Sequence, residues 1–284
     1  MTPVSESAQP VRWRLVLLAS AFLLVSTSLA LAAGGAFADD GQARWDEIKS
    51  SLFGDRQVQD GQDVLALKTP YRAMDAAVVP VDISAKLSGA PDHYIKTVYL
   101  VIDMNPSPVA AVIHFPNGHP WQSLSTRVRV NAYTNIRAIA ETNDGQLYMA
   151  TNFVKASGGC SAPSLKDPAA AATQRGKMKL LLPPEFNAGE RILAQILIKH
   201  PNSSGMQFDQ VSRRFIPADF VRTIEVSYQG KTLFTADTDI SISEDPSIRF
   251  NLVPEAAGVL KVRAIDSKGR EYDHSFDVEA AAKG

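Results

Sequence analysis

The chain has 284 residues, 45% of them hydrophobic and 21% charged, the composition of a globular protein and not of a disordered or collagenous one. Its 29 basic and 30 acidic residues leave a formal charge of −1, with no Lys/Arg cluster of the kind that binds nucleic acid by counterion release. The single cysteine, Cys160, cannot form an intramolecular disulfide or a cysteine-based zinc cage.

Arg12 and Arg14 precede an apolar run from Leu15 to Ala33, followed by Ala36-Phe37-Ala38 and then Asp39-Asp40. A positive start, an apolar middle and a small-x-small ending predict a secretory signal peptide, residues 1–38, removed after Ala38. Cleavage takes away Arg12, Arg14 and Glu6, so the net charge passes from −1 to −2. No second apolar span follows, and the expectation is a soluble exported chain, located in the periplasm, with no membrane attachment after cleavage.

Trp45, Ile48 and Leu52 recur at helical spacing ahead of Gly54, which predicts a short amphipathic helix over residues 43–53. Nearly everything afterwards reads as strand. Alternating or β-branched runs occupy Val79–Leu87, Ile95–Asp103, Val109–Phe115, Thr126–Asn131, Ile136–Glu141 and Leu147–Val154, with Asn143-Asp144-Gly145 as a hairpin turn between the last two. A second series comprises Lys177–Leu182, Arg191–Lys199, Thr223–Tyr228, Leu233–Ala236, Ile248–Val253, Val259–Asp266 and Tyr272–Val278. The two series repeat one another. Tyr94–Val98 matches Phe220–Ile224 in character, and Arg137-Ala138-Ile139 recurs as Arg263-Ala264-Ile265, both at an offset of 126 residues. A shared offset points to two copies of one fold, an all-β chain of two tandem β-sandwich domains over residues 39–155 and 177–284.

Residues 156–176 between them are rich in Gly, Ser, Pro and Ala and read as a linker. Cys160 lies in it, directly after Gly158 and Gly159. Glycine frees the backbone, so the expectation is an exposed thiol on a flexible arm that reaches about 20 Å from Val154 when extended. With no local base and no resolving cysteine, such a thiol suits a handle loaded and unloaded by other enzymes better than an active site. Elsewhere, His114 and His119 lack further metal ligands nearby. Asp237-Thr238-Asp239 starts like a calcium loop but lacks its glycine and glutamate. No cofactor or metal is expected, and no phosphate loop, dinucleotide fingerprint or serine-hydrolase elbow occurs.

Several segments carry a family resemblance. Val79-Pro80-Val81, Tyr94-Ile95-Lys96, Asp103-Met104-Asn105-Pro106-Ser107-Pro108, Thr126-Arg127-Val128-Arg129 and Gly158-Gly159-Cys160 resemble SoxY, the cysteine-bearing subunit of a periplasmic thiosulfate-oxidation carrier. His200-Pro201, Ile216-Pro217-Ala218-Asp219-Phe220, Tyr228-Gln229-Gly230-Lys231 and Ser243-Glu244-Asp245-Pro246 resemble its partner SoxZ. The arrangement is most similar to fused SoxYZ-like carriers associated with quinoprotein dehydrogenases. The resemblance implies immunoglobulin-like folds in both halves and a non-catalytic carrier with sulfur cargo held covalently on Cys160, Gly158 and Gly159 forming the hinge. It implies partners among periplasmic redox enzymes, either sulfur-oxidation enzymes or a quinoprotein (alcohol) dehydrogenase and its cytochrome. One departure stands out. The family's cysteine lies near a free C-terminus between glycine pairs, whereas here Cys160-Ser161-Ala162-Pro163 continues into a second domain.

Overall fold

The computed structural model describes residues 41–87, 93–116, 121–164 and 172–279. The expected signal peptide, His119 and the middle of the linker lie outside the described residues. Among the described residues no helix is long and apolar enough to cross a membrane.

A helix over residues 41–53 opens the described chain, close to the predicted span. It ends at Gly54, whose φ of 59° suits a glycine at a helix C-terminus and whose N–H donates to Ser50 O at 3.0 Å. Residues 1–47 form one unit, described from residue 41, and residues 48–284 form a second, compact unit.

Within the second unit the strands of the first half are β1 (Val58–Asp60), β2 (Leu65–Lys68), β3 (Val79–Ala85), β4 (Ile95–Ile102), β5 (Val109–His114), β6 (Ser123–Val128), β7 (Thr134–Thr142) and β8 (Leu147–Val154). Those of the second half are β9 (Met178–Leu181), β10 (Ile192–Ile198), β11 (Phe208–Asp209), β12 (Arg214–Phe215), β13 (Val221–Tyr228), β14 (Lys231–Thr238), β15 (Ser247–Leu252), β16 (Gly258–Asp266) and β17 (Glu271–Val278). Alternation decides their faces. In β3, Val79, Val81 and Ile83 are buried while Pro80 and Asp82 are exposed, as expected of a strand with one face on the core. The expected all-β class, two β-sandwich domains with a short N-terminal helix, holds.

The halves are joined side by side. One nine-stranded sheet runs β1-β8-β7-β4-β5-β14-β13-β16-β17, and a facing six-stranded sheet runs β2-β3-β6-β15-β10-β9. The order of strands about each centre is mirrored: β4 corresponds to β13, β7 to β16 and β5 to β14, and the 126-residue repeat falls on β4/β13 and β7/β16. At the seam β5 pairs antiparallel with β14 (Ile113 opposite Ala236, Val112 opposite Asp237), and β6 pairs antiparallel with β15 (Leu124 opposite Phe250). A repeat related by a two-fold axis requires antiparallel pairing there. One core cluster crosses the seam and includes Ala111, Ile113 and Leu124 from one half with Ile224, Ala236 and Ile248 from the other.

Candidate functional site

Cys160 follows β8 and is fully buried, with 0% of its surface exposed. This corrects the expected exposed thiol. The Gly158-Gly159 pair is not a free arm either. The Gly158 N–H donates to Asn131 O and the Gly159 N–H to Val130 O, both at 2.9 Å, and the Ser161 N–H donates back to Gly158 O at 3.2 Å. Gly158 has φ of 79°, a left-handed turn that glycine adopts at little cost. A Cβ on Gly159 would sit 2.0 Å from Ala76 O and 2.8 Å from Val130 N, so the second glycine permits two backbones to close on it. The glycines that suggest mobility in the sequence are here the means of tight packing.

Both halves hold the cysteine. Ser204, itself buried, donates its hydroxyl to Cys160 O. Arg129, 2% exposed, donates through Nη1 to Gly159 O and through Nη2 to Asn202 O, each at 3.3 Å. Its Nε has no hydrogen-bond partner among the described residues. Burial lowers the guanidinium's affinity for its proton, while Cys160, Glu244 and Asp75 act in the opposite direction. Burial also pushes the Cys160 thiol up to about 11, against the pull of Arg129. In this conformation Cys160 is a neutral, sealed thiol, and neither nucleophilic attack nor cargo release is open to it.

Several of the segments that carry the family resemblance meet at or beside this place. From Asp103–Pro108, Asn105 donates to Arg129 O at 2.8 Å and to Ser241 Oγ at 2.9 Å, and accepts the Asn131 N–H at 2.9 Å. In the same segment Asp103 is clasped by Arg137 Nε at 2.9 Å to both carboxylate oxygens, which satisfies a buried charge pair. Ser107 Oγ reaches Asp239 Oδ2 at 2.7 Å across the seam, and Ser241 Oγ returns to Ser107 O at 2.8 Å. From Ser243–Pro246, Ser243 Oγ donates to Ala77 O at 2.7 Å, and Asp245 O accepts from Arg127 Nη2 at 3.0 Å. These residues stitch one half to the other around the Cys160 loop.

Beside it lies a second polar cluster. His200, Asp219 and Asp266 form the one group of potential metal ligands among the described residues. Arg175 and Arg270 already bind Asp219, and Arg270 also meets Asp266 Oδ2 at 2.5 Å with the Tyr272 hydroxyl at 2.8 Å. Two carboxylates balanced by two guanidiniums leave little attraction for a cation, and the arrangement reads as a part-buried ion network. Burial would raise Asp266, but hydrogen bonds from Tyr272, Arg270 and the Arg270 and Lys268 N–H groups outweigh it and hold the carboxyl at about 2. Burial pushes His200 below its usual value despite Asp219 and Asp266. His114 lies 3.8 Å from Asp237, both side chains exposed, with no third ligand among the described residues.

Arg129, Ser204 and Asn202 were not legible as site residues from the sequence. Arg129 stands within a quoted segment, and an arginine in an apolar run is the available signal. Ser204 and Asn202 look like ordinary loop residues, because their importance depends on a fold that brings residue 204 to residue 160.

Comparison with known proteins follows the same division. A family model described as sulfur oxidation protein SoxY matches residues 49–160, and one described as sulphur oxidation protein SoxZ matches residues 180–277. No curated protein matches. Among solved structures, the sulfur carrier protein SoxY from Chlorobium limicola f thiosulfatophilum is 24% identical over 41% of this chain and 94% of its own, with a TM-score of 0.34. Superoxide reductase (neelaredoxin) from Ignicoccus hospitalis is 13% identical over 37% of this chain and 80% of its own, with a TM-score of 0.28. These structural likenesses are too slight to weigh. The two family matches support a carrier role in sulfur oxidation alongside partner Sox enzymes. With a SoxY region followed by a SoxZ region on one polypeptide, and the cysteine at the last residue of the first, the chain is a fused SoxYZ-like protein.

Proposed function

We propose that this protein is a non-catalytic periplasmic carrier that holds a sulfur-containing intermediate covalently on Cys160 and presents it to redox enzymes. The observation that carries the reading is the position of the chain's one cysteine, at the junction of the SoxY and SoxZ regions and held by residues of both. Among the described residues the charged group that acts on the thiol is Arg129, a cation and not a base, which fits a handle that other enzymes load. The N-terminal pattern of Arg12, Arg14, the apolar run and Ala36-Phe37-Ala38 supports export. Because the thiol is sealed, loading requires the Gly158–Ser161 loop to open, so carriage and conformational change go together. Intact-protein mass spectrometry of native material grown on reduced sulfur compounds should show adducts removed by dithiothreitol and lost in Cys160→Ala. Unmodified protein under every such condition overturns carriage.

The buried thiol also favours a second reading, an adaptor for a periplasmic quinoprotein dehydrogenase and its cytochrome, in which Cys160 is only packing. Complementation separates the two. The carrier loses function with Cys160→Ser, whereas the adaptor keeps it.

A further inference from the structure

We propose that the hairpin of β11 and β12 is the docking element for a partner protein whose surface offers an apolar recess rimmed by carboxylates, and that engagement there opens the Cys160 loop. The opening clause rests on the carrier reading; the docking clause does not.

The hairpin belongs to neither large sheet and pairs only with itself, Phe208 opposite Phe215 and Asp209 opposite Arg214. A free two-stranded ribbon is marginal in water, and one that serves only as a connection has no reason to carry large apolar groups outward. This one does. Phe208 is 41% exposed, Val211 96% and Phe215 66%, and none belongs to the core cluster. The two rings meet edge to face with centroids 5.5 Å apart.

The ribbon is held ready for contact. The Asp209 carboxylate caps its own turn, accepting the Val211 N–H at 2.8 Å and the Ser212 N–H at 2.9 Å, and the Ile216 N–H closes the base on Gln207 O at 2.8 Å. Arg213 holds φ of 53°, unusual for a residue with a side chain, which fixes the turn. A preordered element loses less freedom on binding. Arg213 and Arg214 are exposed and make no ion pair among the described residues. Asp209 keeps its negative charge while it accepts these N–H groups, so the ribbon carries a net charge of +1, with the two guanidiniums beside three apolar side chains. Aromatic and arginine side chains together are the composition of an interface centre, and their complement is an apolar recess with an acidic rim.

The root of the ribbon is wired to the cysteine. The Ser204 N–H donates to Gln207 Oε1 at 2.9 Å, the Met206 N–H donates to Ser204 Oγ at 3.2 Å, and that hydroxyl donates to Cys160 O. Displacing the ribbon therefore pulls on the residue that clamps the cysteine carbonyl.

The test uses the full chain and a defined probe, the random copolymer of glutamate and tyrosine, with polylysine as control. Binding is followed by calorimetry, and alkylation of Cys160 by iodoacetamide by mass spectrometry. The copolymer should bind, salt should weaken the binding, and alkylation should accelerate about tenfold as the open state becomes more populated. The surface variant with Arg213→Glu and Arg214→Glu should lose both effects, and Phe215→Ala should weaken them. No binding, or equal binding by the charge-reversed variant, overturns the docking site. Binding without faster alkylation overturns the link to Cys160. Self-association of the native chain abolished by the same charge reversal would make a second copy the occupant and overturn the acidic partner. Absence of sulfur adducts in the carriage test leaves the binding result standing, so the two ideas fail separately.

Discussion

At the scale of single residues, the chemistry turns on a thiol that the fold keeps protonated. With the Cys160 thiol pushed up to about 11 by burial, very little thiolate is present at neutral pH. Iodoacetamide should label native protein far more slowly than urea-unfolded protein, and the native rate should climb with pH toward 11. Rapid labelling at pH 7 without a partner would show that the loop opens by itself. The raised value has a consequence for stability. A proton held more tightly in the folded state stabilises below the ordinary thiol value of 9.0, and that contribution is lost as pH rises from there toward about 11. Cys160→Ala should flatten the alkaline limb of the stability profile measured by urea unfolding. Asp266 runs the other way. Its depressed value stabilises above 3.8, and the contribution is lost as pH falls toward about 2. Asp266→Asn removes the charge that faces Arg270, whose own side chain is partly solvated, and should cost about 2 kcal/mol at neutral pH.

At the scale of elements, the glycine pair offers the sharpest contrast. A hinge would tolerate alanine at either position. Packing as observed sets them apart: Gly158→Ala meets only the left-handed backbone, a cost of about 1 kcal/mol, whereas Gly159→Ala drives a methyl into Ala76 O and should cost about 3 kcal/mol. Urea denaturation of the two variants ranks them, and equal mild effects would restore the hinge. Much of the strand inventory was legible because alternation reports which face of a strand is buried. Residues 95–102 and 221–228 were recognisable as strands and as copies of each other. The short β1, β2, β11 and β12 were not, since two to four residues are too few to show a period. Nor could alternation say that β5 lies beside β14, because it identifies a face and not a neighbour. The composition of residues 156–161 misled for a related reason. Glycine serves both motion and close approach, and only the location of Ala76 and Val130 decides between them.

At the scale of the whole molecule, the shared sheets imply shared stability. Two tandem domains on a loose tether would melt separately. Residues 48–284 should unfold in a single transition, with far-UV circular dichroism and tryptophan fluorescence coincident in guanidinium. A polar group placed in the seam should shift that whole transition and not half of it. Ala236→Asp, at a position 2% exposed between β13 and β5, should cost about 4 kcal/mol and lower both probes together. Two resolved steps would mean that the halves are independent.

The edge-to-edge seam has one more consequence, for copy number. When two separate polypeptides share a sheet, each finds its mate by diffusion, and dilution or an excess of one partner leaves some of them single. Here β5 and β14 are tethered through one backbone, so the second partner is present at the high effective concentration of an intramolecular encounter. Each cysteine sulfur is thereby born with its own clasp, one to one, however scarce the protein becomes.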